Sequence, residues 1–141
     1  MLDAPPIKLS QMTGKNKIVV VNFWATWCGP CIQEVPQLKA IQREYQSQGV
    51  EIIGLSIEAP SQAIGLVKNF AQQYEVNYRL GFSSGEMFAA FNGPDPRGVI
   101  PQSFVFGRDG NLLPNGHIIG GGSSVHAKLQ ALIEKELKGA S

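Results

Sequence analysis

Two cysteines with two residues between them, Cys28 and Cys31, follow closely on the apolar run Lys-Ile-Val-Val-Val-Asn-Phe-Trp from Lys17 to Trp24. This junction constrains the fold more than any other stretch. The run is rich in β-branched residues and nearly continuous, the pattern of a central strand buried on both faces. Beyond the cysteines, Val35, Leu38, Ile41 and Tyr45 recur at helical spacing, and Gly49 stands where a helix should stop. Both thiols therefore fall at a strand-to-helix turn. Cys28 is placed at or just before the first helical residues, where unpaired backbone N–H groups and the positive helix end favour a thiolate. Cys31, one turn further in, is expected to be shielded by the strand and the helix. Pro30 has no N–H and a φ suited to a helix start, so it fixes the turn without losing a bond. Residues three apart in a helical turn lie within the Cα separation of a disulfide, so the bond can form and break with little movement. The pattern predicts that Cys28 attacks a substrate disulfide and that Cys31 resolves the mixed disulfide.

The alternatives are a structural disulfide or a pair of inert thiols. The buried strand, the aromatic pair Trp24 and Trp27, and the amphipathic helix that follows weigh against both. A zinc site needs four ligands. No further cysteine exists, and His117 and His126 have eight residues between them, so the histidines are expected at the surface and no metal or cofactor is expected. Two cysteines are too few for a secreted disulfide scaffold. Lys and Arg number 12 against 11 Asp and Glu, a balance that argues against nucleic acid as partner. No apolar run approaches the roughly 18 residues of a membrane-spanning helix. The start, Met1 to Pro6, lacks the basic and apolar regions of a signal peptide.

Length predicts one domain over residues 1–141, with 1–6 expected to be disordered or foreign to the natural protein. Glu51 to Ile57 reads as a second buried strand. Ile64, Val67, Phe70, Ala71 and Tyr74 mark a helix with Ser61 as N-cap. Ser103 to Phe106 reads as a strand running into a turn at Gly107–Gly110. Leu112-Leu113 and Ile118-Ile119 bracket a second turn at Pro114-Asn115-Gly116, which predicts an antiparallel pair. Val125, Leu129, Leu132, Ile133 and Leu137 give a last helix, started by Ser123 or Ser124. Residues 82–98, rich in Gly and Pro, read as a surface excursion with a short helix at Met87–Phe91. The order implies an α/β fold, a mixed sheet with helices on both faces.

Phe23-Trp24-Ala25-Thr26-Trp27-Cys28-Gly29-Pro30-Cys31 resembles the thioredoxin superfamily. With Val21-Asn22 before it and Glu34-Val35-Pro36-Gln37-Leu38 after it, the segment is most similar to the TlpA/ResA branch of bacterial thiol–disulfide oxidoreductases. Residues 7–138 follow the family outline. The resemblance implies a thioredoxin-like fold and a cis bond at Ile100-Pro101, with Pro101 facing the dithiol and Ile100 pairing with the substrate chain. Trp27, Gly29 and Pro30 complete the implied substrate surface. Thioredoxin itself carries an Asp where Asn22 stands and a Lys where Gly54 stands, so its usual proton relay is missing. ResA-like proteins carry a Glu within one residue of Glu58. Because a shielded Cys31 must lose its proton to some base, Glu58 is the candidate acceptor; the alternative is a solvated loop carboxylate. Gln102-Ser103 replaces the commoner Thr-Thr or Thr-Ser, and with the 93–98 insertion it is expected to reshape the substrate groove. The amino-terminal hairpin is shortened to Ile7–Met12, which suggests trimming.

These implications converge on a thiol–disulfide oxidoreductase acting on disulfide- or thiol-containing protein substrates, as a reductant given the Gly-Pro between its cysteines. A membrane thiol–disulfide transporter is the expected class of upstream donor. A monomer in the bacterial periplasm, soluble or membrane-tethered, is the expected setting, with the cytoplasm as alternative. Cytochrome c maturation, oxidase assembly and general repair are all open as its task. Competing readings are a cytosolic thioredoxin, against which Asn22 and Gly54 weigh, and a non-catalytic binding or chaperone module. A peroxiredoxin wants Thr and Pro where Ala25 and Val21 stand, respectively.

Overall fold

The computed structural model describes residues 2–3, 16–83, 100–119 and 124–139. Its frame is a six-stranded sheet of β1 (Leu2–Asp3), β2 (Ile18–Trp24), β3 (Val50–Ser56), β4 (Arg79–Phe82), β5 (Gln102–Phe106) and β6 (Leu112–Ile119). In space the order is β1-β4-β3-β2-β5-β6. The four strands from β1 to β2 run parallel, and β5 and β6 add antiparallel partners. The described helices are α1 (Gly29–Tyr45), α2 (Pro60–Gln73) and α3 (Val125–Gly139), with a 3-10 turn at Gln46–Gln48.

Every residue of β2 is buried, as its unbroken apolar run requires. Its alternate side chains enter two cores. Ile18, Val20 and Trp24 join Ile52, Leu80 and Val105 against α1, α2 and α3. Val19, Val21 and Phe23 join Ile53, Leu55, Phe104 and Phe106 on the other face. The expected mixed sheet is present; helices were expected on both faces, and all three described helices lie on the first. The expected helix at Met87–Phe91, the excursion beyond Ser83 and the shortened hairpin Ile7–Met12 lie outside the described residues.

β3 is longer than its outer neighbour. β4 reaches only from Ile53 onward, and α1 supplies what is missing. Gln42 donates from Nε2 to the carbonyl of Val50 (3.0 Å), and its Oε1 accepts from Ile52 N (2.8 Å). One amide side chain thus completes the strand ladder where backbone is lacking. Gly49 ends the preceding turn at φ +82°, a conformation costly to residues with a Cβ.

The structure corrects four expectations. β4 ends at Phe82, which is fully buried although it is the first residue of the stretch read as a surface excursion. Leu2–Asp3, within the segment expected to be disordered, pairs in parallel with Leu80–Gly81. Pro60 opens α2, and Ala59 in the cap position offers no side-chain bond, so Ser61 is already helical. Pro114-Asn115-Gly116 is not a hairpin turn. The chain reverses at Gly107–Gly110, and the three residues bulge out within β6, where the register against β5 slips between Phe104 and Phe106. Asn115 takes the left-handed conformation (φ +60°). A Cβ on Gly116 would come within 2.8 Å of the Leu113 and Val105 carbonyl oxygens. The bulge thus needs glycine for close backbone approach.

Candidate active site

The cysteines sit at the carboxyl ends of the parallel strands, where open α/β sheets place their sites. β2 ends at Trp24, and Cys28 N returns to the Ala25 carbonyl (3.2 Å) to turn the chain. Cys28 is then the N-cap of α1, with Pro30 in its first turn. Its Sγ accepts the N–H of Cys31 at 3.2 Å, one of the otherwise unpaired donors of the helix start. The two sulfurs are joined in a disulfide with Cα atoms 5.2 Å apart. In this oxidised state the expected difference in shielding is absent, since Cys28 is 5% and Cys31 4% exposed. What distinguishes them is the helix end: the N–H of Cys31 points at the sulfur of Cys28. Trp27 stands out beside the pair at 68% exposure, and Gly29 and Pro30 are exposed as well.

Ile100-Pro101 is cis. β5 runs antiparallel to β2 with Gln102 opposite Phe23, and one more step of that register sets Pro101 against Trp24, at the end of the sheet that leads to Cys28. Pro101 is buried, and Ile100, half-buried, packs against both cores. Gln102 turns its amide to β6, with Oε1 2.6 Å from His117 Nε2. His117 stacks on Phe104 with centroids 4.1 Å apart, while His126 lies across the molecule beside Glu44 (3.3 Å). Among the described residues no three metal-ligating side chains gather.

Glu58 lies just beyond β3 and is tied to the loop that leads into the cysteines. Its Oε1 accepts from Thr26 N (2.9 Å) and Ser56 Oγ (2.8 Å), and its Oε2 accepts from Thr26 Oγ1 (2.7 Å). With Ile57 N donating to the Trp24 carbonyl (3.0 Å), the ends of β2 and β3 are laced together just before the dithiol.

A second carboxylate was not singled out by the sequence reading. Glu34 follows Cys31 by three residues, on the same face of α1, and is 1% exposed. Burial pushes its carboxyl from 4.5 up to about 7, against the opposing pull of a hydrogen bond from Asn22. Asn22 Nδ2 donates to Glu34 Oε1 (2.9 Å) and to Ser103 Oγ (3.0 Å). The available signal was Asn22 itself. A polar residue in a strand buried on both faces must find partners, and Glu34 lies in the buried stripe Cys31, Val35, Leu38 of the facing helix.

The Gly54 position opposite Asn22 is filled by another residue. The Trp24 indole leans over Gly54, where a Cβ would meet its Nε1 at 3.1 Å and Leu80 Cδ2 at 2.9 Å. Trp24 also packs on Phe70 of α2, with centroids 4.6 Å apart.

A thioredoxin-type sheet carrying a Cys-x-x-Cys pair on the first turn of a helix, beside a cis-proline, defines a class of protein. In keeping with it, the chain matches the AhpC/TSA family over residues 2–113 and belongs to that thioredoxin-fold family. It is 34% identical over 112 residues to the thiol-disulfide oxidoreductase ResA of Bacillus thuringiensis (strain Al Hakam), covering 79% of this chain and 60% of that one. The ResA of Oceanobacillus iheyensis is 35% identical over 118 residues, 83% of this chain and 54% of that one. The chain thus spans between 54 and 60% of the length of these curated relatives. Among solved structures, a thiol:disulfide interchange protein of the thioredoxin family from Chlorobium tepidum TLS superposes with a TM-score of 0.72 at 32% identity, covering 87% of this chain and 81% of that one.

Proposed function

We propose that this chain is a thiol–disulfide oxidoreductase that reduces disulfides in protein substrates, working outside the bacterial cytoplasmic membrane and recharged by an upstream dithiol donor. The observation that carries the reading is the Cys28–Cys31 disulfide closed across the first turn of α1, with the helix N–H aimed at Cys28 Sγ. The TlpA/ResA resemblance supports the compartment and the class of donor.

In the reduced protein the Cys28 thiolate attacks a substrate disulfide. A Cys28–substrate bond forms and one substrate sulfur leaves as a thiolate that takes up a proton. Cys31 then gives its proton to a base and attacks Cys28 Sγ. The internal disulfide closes, and the second substrate sulfur leaves with the electron pair. Two electrons pass to the substrate, and the donor restores them. Glu34 is the base we favour. It lies three residues, about one helical turn, beyond Cys31 on the same face of the helix, and its carboxyl near 7 suits proton exchange at neutral pH. Ile100, Pro101 and Trp27 flank the pair as the surface on which the substrate chain lies.

Replacing Cys31 with Ser is expected to trap mixed disulfides with protein substrates, detectable on non-reducing gels, whereas Cys28→Ser traps none. Equal trapping by both variants overturns the assignment of attacking and resolving thiols. No trapping and no insulin-type disulfide reduction by the unaltered chain favour the binding-module reading.

Glu58 has two readings, proton exchange with the dithiol or bracing of residues 25–27. Glu58→Gln separates them. Bracing predicts a rate lowered about threefold, the effect of weakening one charge-assisted hydrogen bond by roughly 0.7 kcal/mol, with a pH–rate profile of unchanged shape. A profile that loses one titration instead makes Glu58 a proton acceptor.

A further inference from the structure

A carboxylate that gains and loses a proton in a dry interior needs hydrogen-bond partners in both states, and the chain around Glu34 contains the device for this. Asn22, Glu34 and Ser103 are 3%, 1% and 2% exposed. They come from β2, α1 and β5, and the register sets Asn22 directly opposite Ser103. Both hydrogens of the Asn22 amide are used, one on Glu34 Oε1 (2.9 Å) and one on Ser103 Oγ (3.0 Å). This arrangement serves the ionised carboxylate, which only accepts. Once Glu34 holds a proton, its O–H must donate, and an N–H facing it offers nothing to accept. Turning the amide end for end brings Oδ1 to the same place. That oxygen can accept from the Glu34 O–H, and also from Ser103, because a hydroxyl donates as readily as it accepts.

We propose that Ser103 is a positioning residue for the exchange reaction: its rotatable hydroxyl lets the Asn22 amide present its N–H₂ to ionised Glu34 and its carbonyl to protonated Glu34. The inference rests on the reading of Glu34 as the proton acceptor for Cys31. No proton passes through the amide. The proton moves from Cys31 Sγ to Glu34 and later to a leaving thiolate or water, and the amide turns to follow it. Among the described residues the other groups facing this site are few. Burial, with the Glu34 charge as the lesser cause, holds the hydroxyl of Tyr78, ahead of β4, protonated far above the usual range. The disulfide adds no charge. β2 and β5 carry no ionisable side chain, Glu51 of β3 lies on the opposite face beside Val19, and α2 and α3 bury only apolar residues toward this core.

The test follows the Glu34 carboxyl carbon and the Asn22 side-chain amide by NMR across pH in the oxidised protein, together with Ser103→Ala and Ser103→Thr. In the unaltered protein the Asn22 amide resonances are expected to shift with the Glu34 midpoint. Ser103→Ala leaves one amide hydrogen unpaired only when Glu34 is ionised, so its midpoint rises by about one pH unit, a tenfold weaker acid. Ser103→Thr, which keeps the hydroxyl, restores it. Amide resonances indifferent to Glu34, an unmoved midpoint in Ser103→Ala, or a Thr variant that behaves like Ala each overturn the proposal. If the amide follows Glu34 while the exchange rate ignores the Glu34 midpoint, Ser103 still lets the amide turn, but the proton-acceptor reading of Glu34 falls and with it the role of Ser103 in the exchange.

Discussion

Glu34→Gln slows closure of the internal disulfide about 100-fold at neutral pH, the lower range for loss of a positioned proton acceptor. The first step, attack by Cys28, keeps its rate, so the variant accumulates the mixed disulfide transiently, as quenched-flow trapping will show. The rate also loses its dependence on a group near 7. The same variant has an opposite effect on stability. In the folded chain Glu34 holds its proton up to about 7, whereas in the unfolded chain it releases it near 4.5. Between these values the folded state binds more protons, so stability falls as pH rises through the window. The stabilising proton is fully present below 4.5 and lost above 7, at a cost on the order of 3 kcal/mol. Gln carries no such penalty. Urea unfolding at pH 4.5 and 8 is expected to show the wild type losing roughly 3 kcal/mol more than Glu34→Gln. Equal losses would mean that Glu34 does not titrate in this window, and the mechanism above would lose its base.

Gly54→Lys places a lysine where thioredoxin has one, and it is expected to break the fold and not to rebuild a relay. The Cβ alone would press on Trp24 Nε1 at 3.1 Å and Leu80 Cδ2 at 2.9 Å. Overpacking of this kind costs about 1–3 kcal/mol, and an ammonium brought into the same apolar layer adds several more. Set against the total of about 5–15 kcal/mol that holds a domain together, the variant is expected to be largely unfolded at 37 °C. Circular dichroism melting will report it, as will tryptophan emission, in which the buried Trp24 shifts on unfolding while Trp27 is already exposed. A native-like melt would mean that the indole can leave its place between Gly54 and Phe70.

The redox turn was legible in the sequence, and the elements that depend on a distant partner were not. The apolar run of β2, the helical spacing of α1 and the Cys-Gly-Pro-Cys turn agree with one another, and each implies the next. The four residues of β4, Arg79–Phe82, carry little pattern of their own; they are a strand because β3 offers them a ladder. Pro-Asn-Gly at 114–116 has turn chemistry, and a bulge uses the same chemistry, so only the partner strand decides between them. Glu34 escaped for a similar reason. A glutamate on a helix reads as a solvated residue until the face it occupies is known, and the residue that holds it, Asn22, lies twelve positions away on another element.

The amide of Gln42 has an effect beyond completing a ladder. Between Val50 and Ile52 the outer rim of β3 has no neighbouring strand among the described residues, and such a rim is a template on which another chain can add itself. Gln42 occupies its donor and its acceptor at once. On the proposed function, in which the chain meets protein partners that carry disulfides, a sealed rim keeps those partners from annealing to the sheet. The sealed stretch lies at the start of β3, the end of the parallel strands opposite the one that leads to Cys28.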